Sequence, residues 1–260
     1  MRFDGFSKIV DKDWIQDDVV MISIERVAEM GEIIPGQFFN IQASAAGYPM
    51  LRRPISVSGY DEKTVTFTVK VLGAGTKQLS EHRVGEVIKL MGPLGNGFER
   101  VKAKKVLIIG GGIGVAPMKG LIEKLEQPSS EIDVILGFKD HPYLTDSFRT
   151  RCQRLALFSE TISGFRKGYV TEALEEWIKT TAYEMVYACG PLAMLRRVAK
   201  TLNEAGVPVQ LLMEEKMACG IGACLVCTCK TKKDDFNFKL SRMCKDGPMF
   251  YGSEVIFDEN

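Results

Sequence analysis

Five of the seven cysteines fall in one C-terminal stretch: Cys219, Cys224, Cys227, Cys229 and Cys244. Four of them, Cys219, Cys224, Cys227 and Cys244, are spaced C-x4-C-x2-C-x16-C. The first three cysteines match the spacing of plant-type thiolate ligation of a [2Fe–2S] cluster, whose fourth ligand comes from further along the chain. Gly220, Gly222 and Ala223 keep the intervening loop free of bulk, so backbone N–H groups can turn toward cluster sulfurs. A structural zinc site usually carries two C-x2-C knuckles, and Cys224/Cys227 is the single one here. Iron–sulfur is therefore the preferred reading and zinc the alternative. Cys229, two residues past a ligand, either substitutes for one or is simply buried; burial is the expectation.

A second constellation is the glycine loop Gly110-Gly111-Gly112-Ile113-Gly114-Val115-Ala116-Pro117. It follows the apolar run Val106-Leu107-Ile108-Ile109 and precedes a helical stripe of Met118, Leu121, Ile122 and Leu125. Glycines let the backbone approach a pyrophosphate, and a helix N-terminus offers unpaired N–H groups with partial positive charge. Gly110, Gly111, Gly112 and Gly114 are thus expected to hold a dinucleotide. The loop departs from G-x-G-x-x-G: Val115 takes the third glycine's place, and no acid ends a second strand about 20 residues on. The nearest candidate, Asp140, sits beside Lys139, which leaves NAD and NADP both open. Cys189-Gly190-Pro191 marks another strand-to-helix junction, the place where open α/β sheets bind ligands. Cys189 is expected to line the nicotinamide pocket without acting as a nucleophile.

In the N-terminal part, Arg52-Arg53-Pro54-Ile55-Ser56-Val57 is followed by Lys70-Val71-Leu72-Gly73-Ala74-Gly75-Thr76. An Arg can fork onto a pyrophosphate, and a Ser hydroxyl can bond a flavin ring nitrogen. Gly75-Thr76 can open a helix whose N–H groups face phosphate. Together these stretches resemble the flavin domain of the ferredoxin–NADP reductase superfamily, whose Arg-x-x-Ser motif is matched by Arg53-Pro54-Ile55-Ser56. That superfamily's nicotinamide domain also has a Gly-Gly-Gly-x-Gly-x-Ala-Pro loop and a later Cys-Gly-Pro, matched at 110–117 and 189–191. The missing third glycine is accounted for in this way.

Within the superfamily, Met217-Ala218-Cys219-Gly220-Ile221-Gly222-Ala223-Cys224 and Cys244-Lys245-Asp246-Gly247-Pro248-Met249-Phe250 are similar to electron-transfer subunits of NAD-dependent dihydroorotate dehydrogenases. The resemblance implies FAD, held by Arg53, Pro54, Ile55, Ser56, Lys70, Val71, Leu72, Gly75 and Thr76. It implies NAD on Gly110, Gly111, Gly112, Gly114, Cys189, Gly190 and Pro191, and a [2Fe–2S] cluster on the four cysteines. It also implies a partner, an FMN-containing catalytic subunit that oxidises dihydroorotate to orotate in pyrimidine biosynthesis, in a two-plus-two heterotetramer. The alternatives are a flavin and iron–sulfur reductase serving another acceptor, and a zinc-bound interaction or redox-sensing module.

Three consecutive segments must position these groups. Residues 1–99 are short β runs broken by Gly31, Pro35-Gly36, Gly47, Gly59 and Gly73, and Val65 to Val71 alternates with period two. That pattern predicts an antiparallel, flavin-binding β-barrel domain. Residues 100–212 alternate apolar strands (Val106–Ile109, Ile132–Phe138, Leu155–Phe158, Met185–Ala188, Val209–Met213) with helical stripes, which predicts an α/β nicotinamide-binding domain on a parallel sheet. Thr171 is the expected cap of a helix carrying Leu174, Trp177 and Ile178. Leu192, Leu195, Val198, Ala199 and Leu202 stripe another, which Gly206 can end. Residues 213–260 form the small C-terminal cluster domain.

Composition narrows the remaining classes. The 260 residues are 45% hydrophobic and 26% charged, with a net charge of +1. That excludes wholesale disorder and gives no basic footprint for nucleic acid. The longest apolar stretch, Val106 to Met118, is split by four glycines and is too short for a membrane span. With no apolar signal core at the N-terminus and thiols crowded as metal ligands, the expected location is cytoplasmic. The two histidines, His82 and His141, lie far from the cysteines and are expected to be structural or solvent-facing. No Ser/His or Cys/His constellation is expected to do catalysis, so the chemistry is left to cofactors.

Overall fold

The computed structural model describes residues 3–44, 48–125, 131–234 and 236–257; the expected turn at Gly47 lies outside them. The first segment folds as β1 (Phe3–Gln16), β2 (Val19–Glu25), β3 (Phe38–Ile41), β4 (Arg53–Tyr60), β5 (Thr64–Lys70), α1 (Ala74–Glu81) and β6 (Val87–Leu94). The six strands close into an antiparallel barrel in the order β1-β2-β5-β4-β3-β6. Alternation is what closes it: in β6, Ile88, Leu90, Gly92 and Leu94 turn inward while their neighbours are more exposed. Ile9, Val20, Phe39, Val65, Phe67 and Leu90 fill the barrel.

The second segment comprises β7 (Lys105–Gly111), α2 (Val115–Ile122), β8 (Glu131–Phe138), α3 (Asp146–Arg149), β9 (Arg154–Ser159), α4 (Val170–Trp177), β10 (Met185–Cys189), α5 (Leu192–Glu204) and β11 (Val209–Leu212). Its five strands are parallel and buried on both faces, which is why they read as unbroken apolar runs. Residues of α2 and α3 pack on one face, and those of α4 and α5 on the other. The order is β11-β10-β7-β8-β9: the chain winds outward through β8 and β9, then returns to the other side of β7. The boundary between β7 and β10 is therefore the switch point, where a crevice opens beyond the strand ends. Both the glycine loop and Cys189-Gly190-Pro191 leave from it.

Two local expectations shift. The helix expected to start at Thr171 starts at Val170, capped by Tyr169, whose N–H donates to the Glu172 carboxylate at 3.2 Å. Thr171 is buried in the first turn, so its side chain is spent on packing, and Ile178 falls just past the helix end. Helix α2 stops at Ile122, and Leu125 packs half-buried against the same core from beyond it.

The third segment is joined to the other two. A hairpin, β12 (Thr228–Lys232) and β13 (Phe238–Arg242), precedes β14 (Met249–Tyr251). β14 pairs antiparallel with β11 as the sixth strand of the sheet, which crosses the expected boundary at 212/213. Cys227, Met243, Cys244 and Phe250 share one apolar core with Leu211 of the sheet and with Phe38 and Leu94 of the barrel. Among the described residues, no helix is long and apolar enough to cross a membrane.

Candidate functional site

Three cavities border the glycine loop, two of them where the segments join. The first, of about 210 Å³, lies between β4, β5, the start of α2 and the 213–217 segment. Pro54, Ile55, Ser56, Lys70, Leu72 and Thr76 line it, as expected for the flavin stretches. Val71, Arg53 and Gly75 do not line the cavity; they build its edge. The Arg53 guanidinium packs directly over Gly75, in the space a Cβ there would need. Its Nη1 donates to the Leu51 carbonyl at 2.6 Å, so the fork is held at the N-terminal turn of α1. A fixed Arg beside helix N–H groups is an anion site suited to a pyrophosphate. The Thr76 hydroxyl closes the turn by accepting the N–H of Leu72 at 2.9 Å.

The other two cavities lie on either side of the glycine loop. One of about 290 Å³ is lined by Gly111, Gly112, Ile113, Gly114, Gly190, Pro191, Leu192, Leu195 and Glu214. The other, about 420 Å³, is bounded by Gly111, Gly112, Pro191, Lys139, Glu160, Tyr169 and Arg197, among others. Gly111, Gly112 and Pro191 are common to both, so the pair accommodates the two halves of a dinucleotide with its pyrophosphate at the loop. The loop and the second junction interlock: a Cβ at Gly114 would lie 2.6 Å from the Cys189 carbonyl and 2.7 Å from Gly190 N. Gly110 is inside the sheet, against Leu136 and Val115. Cys189 is buried in the core, and neither cavity is lined by it. Burial, then the charge of Glu214, pushes its thiol well above the usual range. It is a packing residue whose backbone shapes the pocket.

The four cysteines are brought together around one loop. Gly220 and Gly222 take positive φ, +72° and +84°, which folds the loop back on itself at positions where L side chains are strained. Cys219 Sγ accepts the N–H groups of Ile221 at 3.5 Å and Cys224 at 3.4 Å. Burial alone would raise that thiol, but these donors bring it down to about 6. The late ligand is delivered by two ties. The Met243 N–H donates to the Cys227 carbonyl at 2.8 Å, and Arg242 forks onto Asp246 at 2.9 and 3.1 Å while its Nη1 reaches the Gly222 carbonyl at 3.2 Å. Among the described residues, no three Cys, His, Asp or Glu side chains gather as ligands of one ion. A two-iron cluster instead asks for two thiolates on each iron. The thiols neighbour one another in that way, Cys219 beside Cys224 and Cys227 beside Cys244. The first pair is accessible and the second buried; burial, then Cys227, raises the Cys244 thiol to about 12, so it keeps its proton until a metal takes the proton's place on sulfur and releases it.

Residues 214–256 match the iron-sulfur cluster binding domain of dihydroorotate dehydrogenase B, and residues 108–200 an oxidoreductase NAD-binding domain. The chain is 41% identical over 254 residues to the dihydroorotate dehydrogenase B (NAD(+)) electron transfer subunit of Clostridium acetobutylicum, covering 97% of each chain. It is also 41% identical to the subunit of that name from Caldanaerobacter subterraneus subsp. tengcongensis, covering 86% of this chain and 87% of that one. This chain belongs to the dihydroorotate dehydrogenase B electron-transfer subunits. Among solved structures, one from an NADH-dependent reduced ferredoxin–NADP oxidoreductase superposes with a TM-score of 0.85 at 28% identity, covering 96% of this chain and 89% of that chain. The ferredoxin reductase of carbazole 1,9a-dioxygenase shares the fold, with a TM-score of 0.68 at 20% identity over 81% of this chain and 69% of that chain.

Two residues of this family member escape a sequence reading. Glu214 walls both the 210 Å³ and the 290 Å³ cavity. It is exposed to them, and partial desolvation in the crevice raises its carboxyl above the usual carboxylate range. Glu160, directly after β9, lines the 420 Å³ cavity. Asp140, the nearest acid the sequence offers, instead accepts the Thr161 hydroxyl at 2.9 Å and does not line it. No spacing rule marks either glutamate, because both arrive from different strand ends.

Proposed function

We propose that this chain draws electrons from the FMN of a dihydroorotate dehydrogenase catalytic subunit and passes them through a [2Fe–2S] cluster and FAD to NAD+. One observation carries the reading: the cavities share walls in series. Gly111, Gly112 and Pro191 join the two dinucleotide-side cavities, and Ile113 and Glu214 join the 290 Å³ one to the flavin cavity. Met217 lines the flavin cavity two residues before the first cluster thiol. Bound FAD supplies two-electron hydride exchange on one side and single-electron exchange on the other.

The chain's residues bind and orient. Arg53 and the amides of α1 hold the flavin pyrophosphate, and Ser56 offers its hydroxyl to the ring from the cavity wall. The glycine loop holds the dinucleotide phosphates, and Leu195 and Pro191 exclude water beside the nicotinamide. Cys219 and Cys224 put the accessible side of the cluster at the surface, rimmed by the exposed apolar residues Ile221, Leu225 and Val226. That rim is where the catalytic subunit docks, in a two-plus-two assembly. The free, unbridged cysteines fit a reducing, cytoplasmic setting.

An anaerobic assay tests the whole reading. This chain is mixed with the catalytic subunit from the same organism, dihydroorotate and NAD+. NADH should form only when both chains are present. If none forms while added NADH still bleaches the flavin, the partner is another protein.

Glu160 gives a second test. Its carboxylate, at the adenosine-side cavity, suits a ribose 2′-hydroxyl and repels a 2′-phosphate. Lys139, in the same wall, offers a positive charge to such a phosphate. Glu160→Gln should improve kcat/KM for NADP+ by roughly tenfold, about 1.4 kcal/mol, well within one like-charge repulsion near a protein surface. An unchanged NADP+/NAD+ ratio would remove Glu160 from cofactor selection.

A further inference from the structure

The hairpin of β12 and β13 has its polarity reversed. Its register pairs Thr228 with Arg242, Lys230 with Leu240 and Lys232 with Phe238 on one face, and Cys229 with Ser241 and Thr231 with Lys239 on the other. The second face turns inward. Thr231 and Ser241 are both buried there and share a hydroxyl–hydroxyl hydrogen bond of 2.7 Å, and Cys229 packs against the core that holds Cys227 and Cys244. The apolar groups are on the outer face: Phe238 is 55% exposed and Leu240 61%, and Phe236, before β13, is almost wholly exposed. A hairpin with one covered face normally reads apolar inside and polar outside. Here the hydroxyls are inside and the rings are in water. β13 is an open edge as well, since among the described residues it pairs with β12 alone. Exposed apolar patches and bare strand edges mark surfaces that another protein covers.

Two observations name the covering protein. The first is continuity with the cluster rim. Cys227 immediately precedes β12 and is buried, so alternation puts Val226 on the outer face with Thr228 and Lys230. Val226, Leu225 and Ile221, all exposed, carry the apolar strip from the hairpin to the accessible thiols Cys219 and Cys224. A protein that exchanges electrons with the cluster must sit against those thiols, and the strip lies beside it. The second is charge. The outer face carries Lys230, Lys232 and Arg242 and no acid, and Lys230 Nζ lies 5.6 Å from the Phe238 ring centroid. Such a face fits an apolar hollow bordered by carboxylates.

We propose that the outer face of the β12–β13 hairpin anchors the dihydroorotate dehydrogenase catalytic subunit, with Phe238 and Leu240 as the contacts buried on docking. This rests on the reading of that subunit as the partner. The hairpin supplies affinity, and the rim at its end supplies the path for electrons.

The test is anaerobic calorimetric titration of this chain, flavin and cluster bound, with the catalytic subunit from the same organism. Leu240→Glu should weaken binding about thirtyfold, the effect of losing one interface hot spot, with flavin and cluster content at the wild-type level. Excess catalytic subunit should then restore the wild-type rate of dihydroorotate-dependent NADH formation, because no electron passes through the hairpin. Unchanged affinity overturns the proposal, and so does a rate that stays low at saturation. If Leu240→Glu loses its cluster, Phe238→Thr, which keeps strand propensity, decides by the same titration. A wild-type dimer of this chain that Leu240→Glu splits in sedimentation would give the face to a second copy, which also overturns it. A wild-type chain that does not bind the catalytic subunit at all defeats the partner reading itself; wild-type binding that Leu240→Glu leaves intact defeats only the anchor.

Discussion

Cys224→Ser is expected to abolish electron exchange with the catalytic subunit while leaving NADH reduction of the flavin unchanged within about twofold, as for well-separated sites. The reasoning follows the burial of the four thiols. Cys224 is exposed at the rim of its loop, and none of the cavities assigned to FAD and NAD is lined by it. Removing its thiolate removes one ligand from the accessible iron and little else. Cys244→Ser should behave differently. Cys244 is fully buried in the core shared by sheet, barrel and C-terminal segment, so a hydroxyl placed there without a partner costs about 1–3 kcal/mol of stability as well. Stopped-flow bleaching of the flavin by NADH, set beside dihydroorotate-dependent NADH formation, separates the two activities. Equal loss of both in Cys224→Ser would mean that the cluster is structural for the flavin site, and the division of labour would be wrong.

What could be read from sequence was chemistry carried by neighbours in the chain. The glycine loop, Arg53 to Ser56 and the cysteine run each act through backbone geometry over a few residues; Gly111 to Gly114 and Pro54 to Ser56 line cavities, and Cys219 sits in a tight loop. The barrel and the parallel sheet were legible for the same reason, since periods of two and unbroken apolar runs are local patterns. Residues that matter through contact across the fold were not. Glu214 and Glu160 are ordinary polar residues until the fold brings them to cavity walls. Cys189 looked like a pocket residue because its neighbours are; alternation along β10 decides instead that its thiol faces the core. The same limit hid β14. Met249 to Tyr251 is too short to announce itself as a strand, and only its pairing with β11 reveals that the cluster segment is locked to the nicotinamide sheet.

That lock bears on how electrons move. Because β14 belongs to the sheet, and Cys227 and Cys244 to its core, the cluster cannot shift relative to the dinucleotide cavities without breaking a strand pair. The 213–217 segment, which walls the flavin cavity, connects β11 to the first thiol. One end is anchored in β11 and the other leads into the cysteine loop, which Arg242 ties through the Gly222 carbonyl.

Gly75→Ala is the substitution expected to empty the flavin site with the least damage elsewhere. A Cβ at Gly75 would occupy the position of the Arg53 guanidinium. That obstacle is the end of a flexible side chain, so the protein can relieve the clash by swinging Arg53 away. The fold survives, and the pyrophosphate loses its fork. Hydrogen bonds from a charged donor contribute about 1.5–3 kcal/mol, so FAD affinity should fall by roughly 10- to 100-fold. The protein should purify nearly colourless, and its melting temperature should recover toward that of the holoprotein when excess FAD is added, because binding to the native state alone stabilises it. Gly73→Ala is the matched control. Gly73 has extended backbone and nothing within 4 Å of an added Cβ, and its variant should keep its flavin. A Gly75→Ala protein with stoichiometric FAD would detach Arg53 from the pyrophosphate; equal flavin loss in both variants would trace the effect to the α1 turn instead.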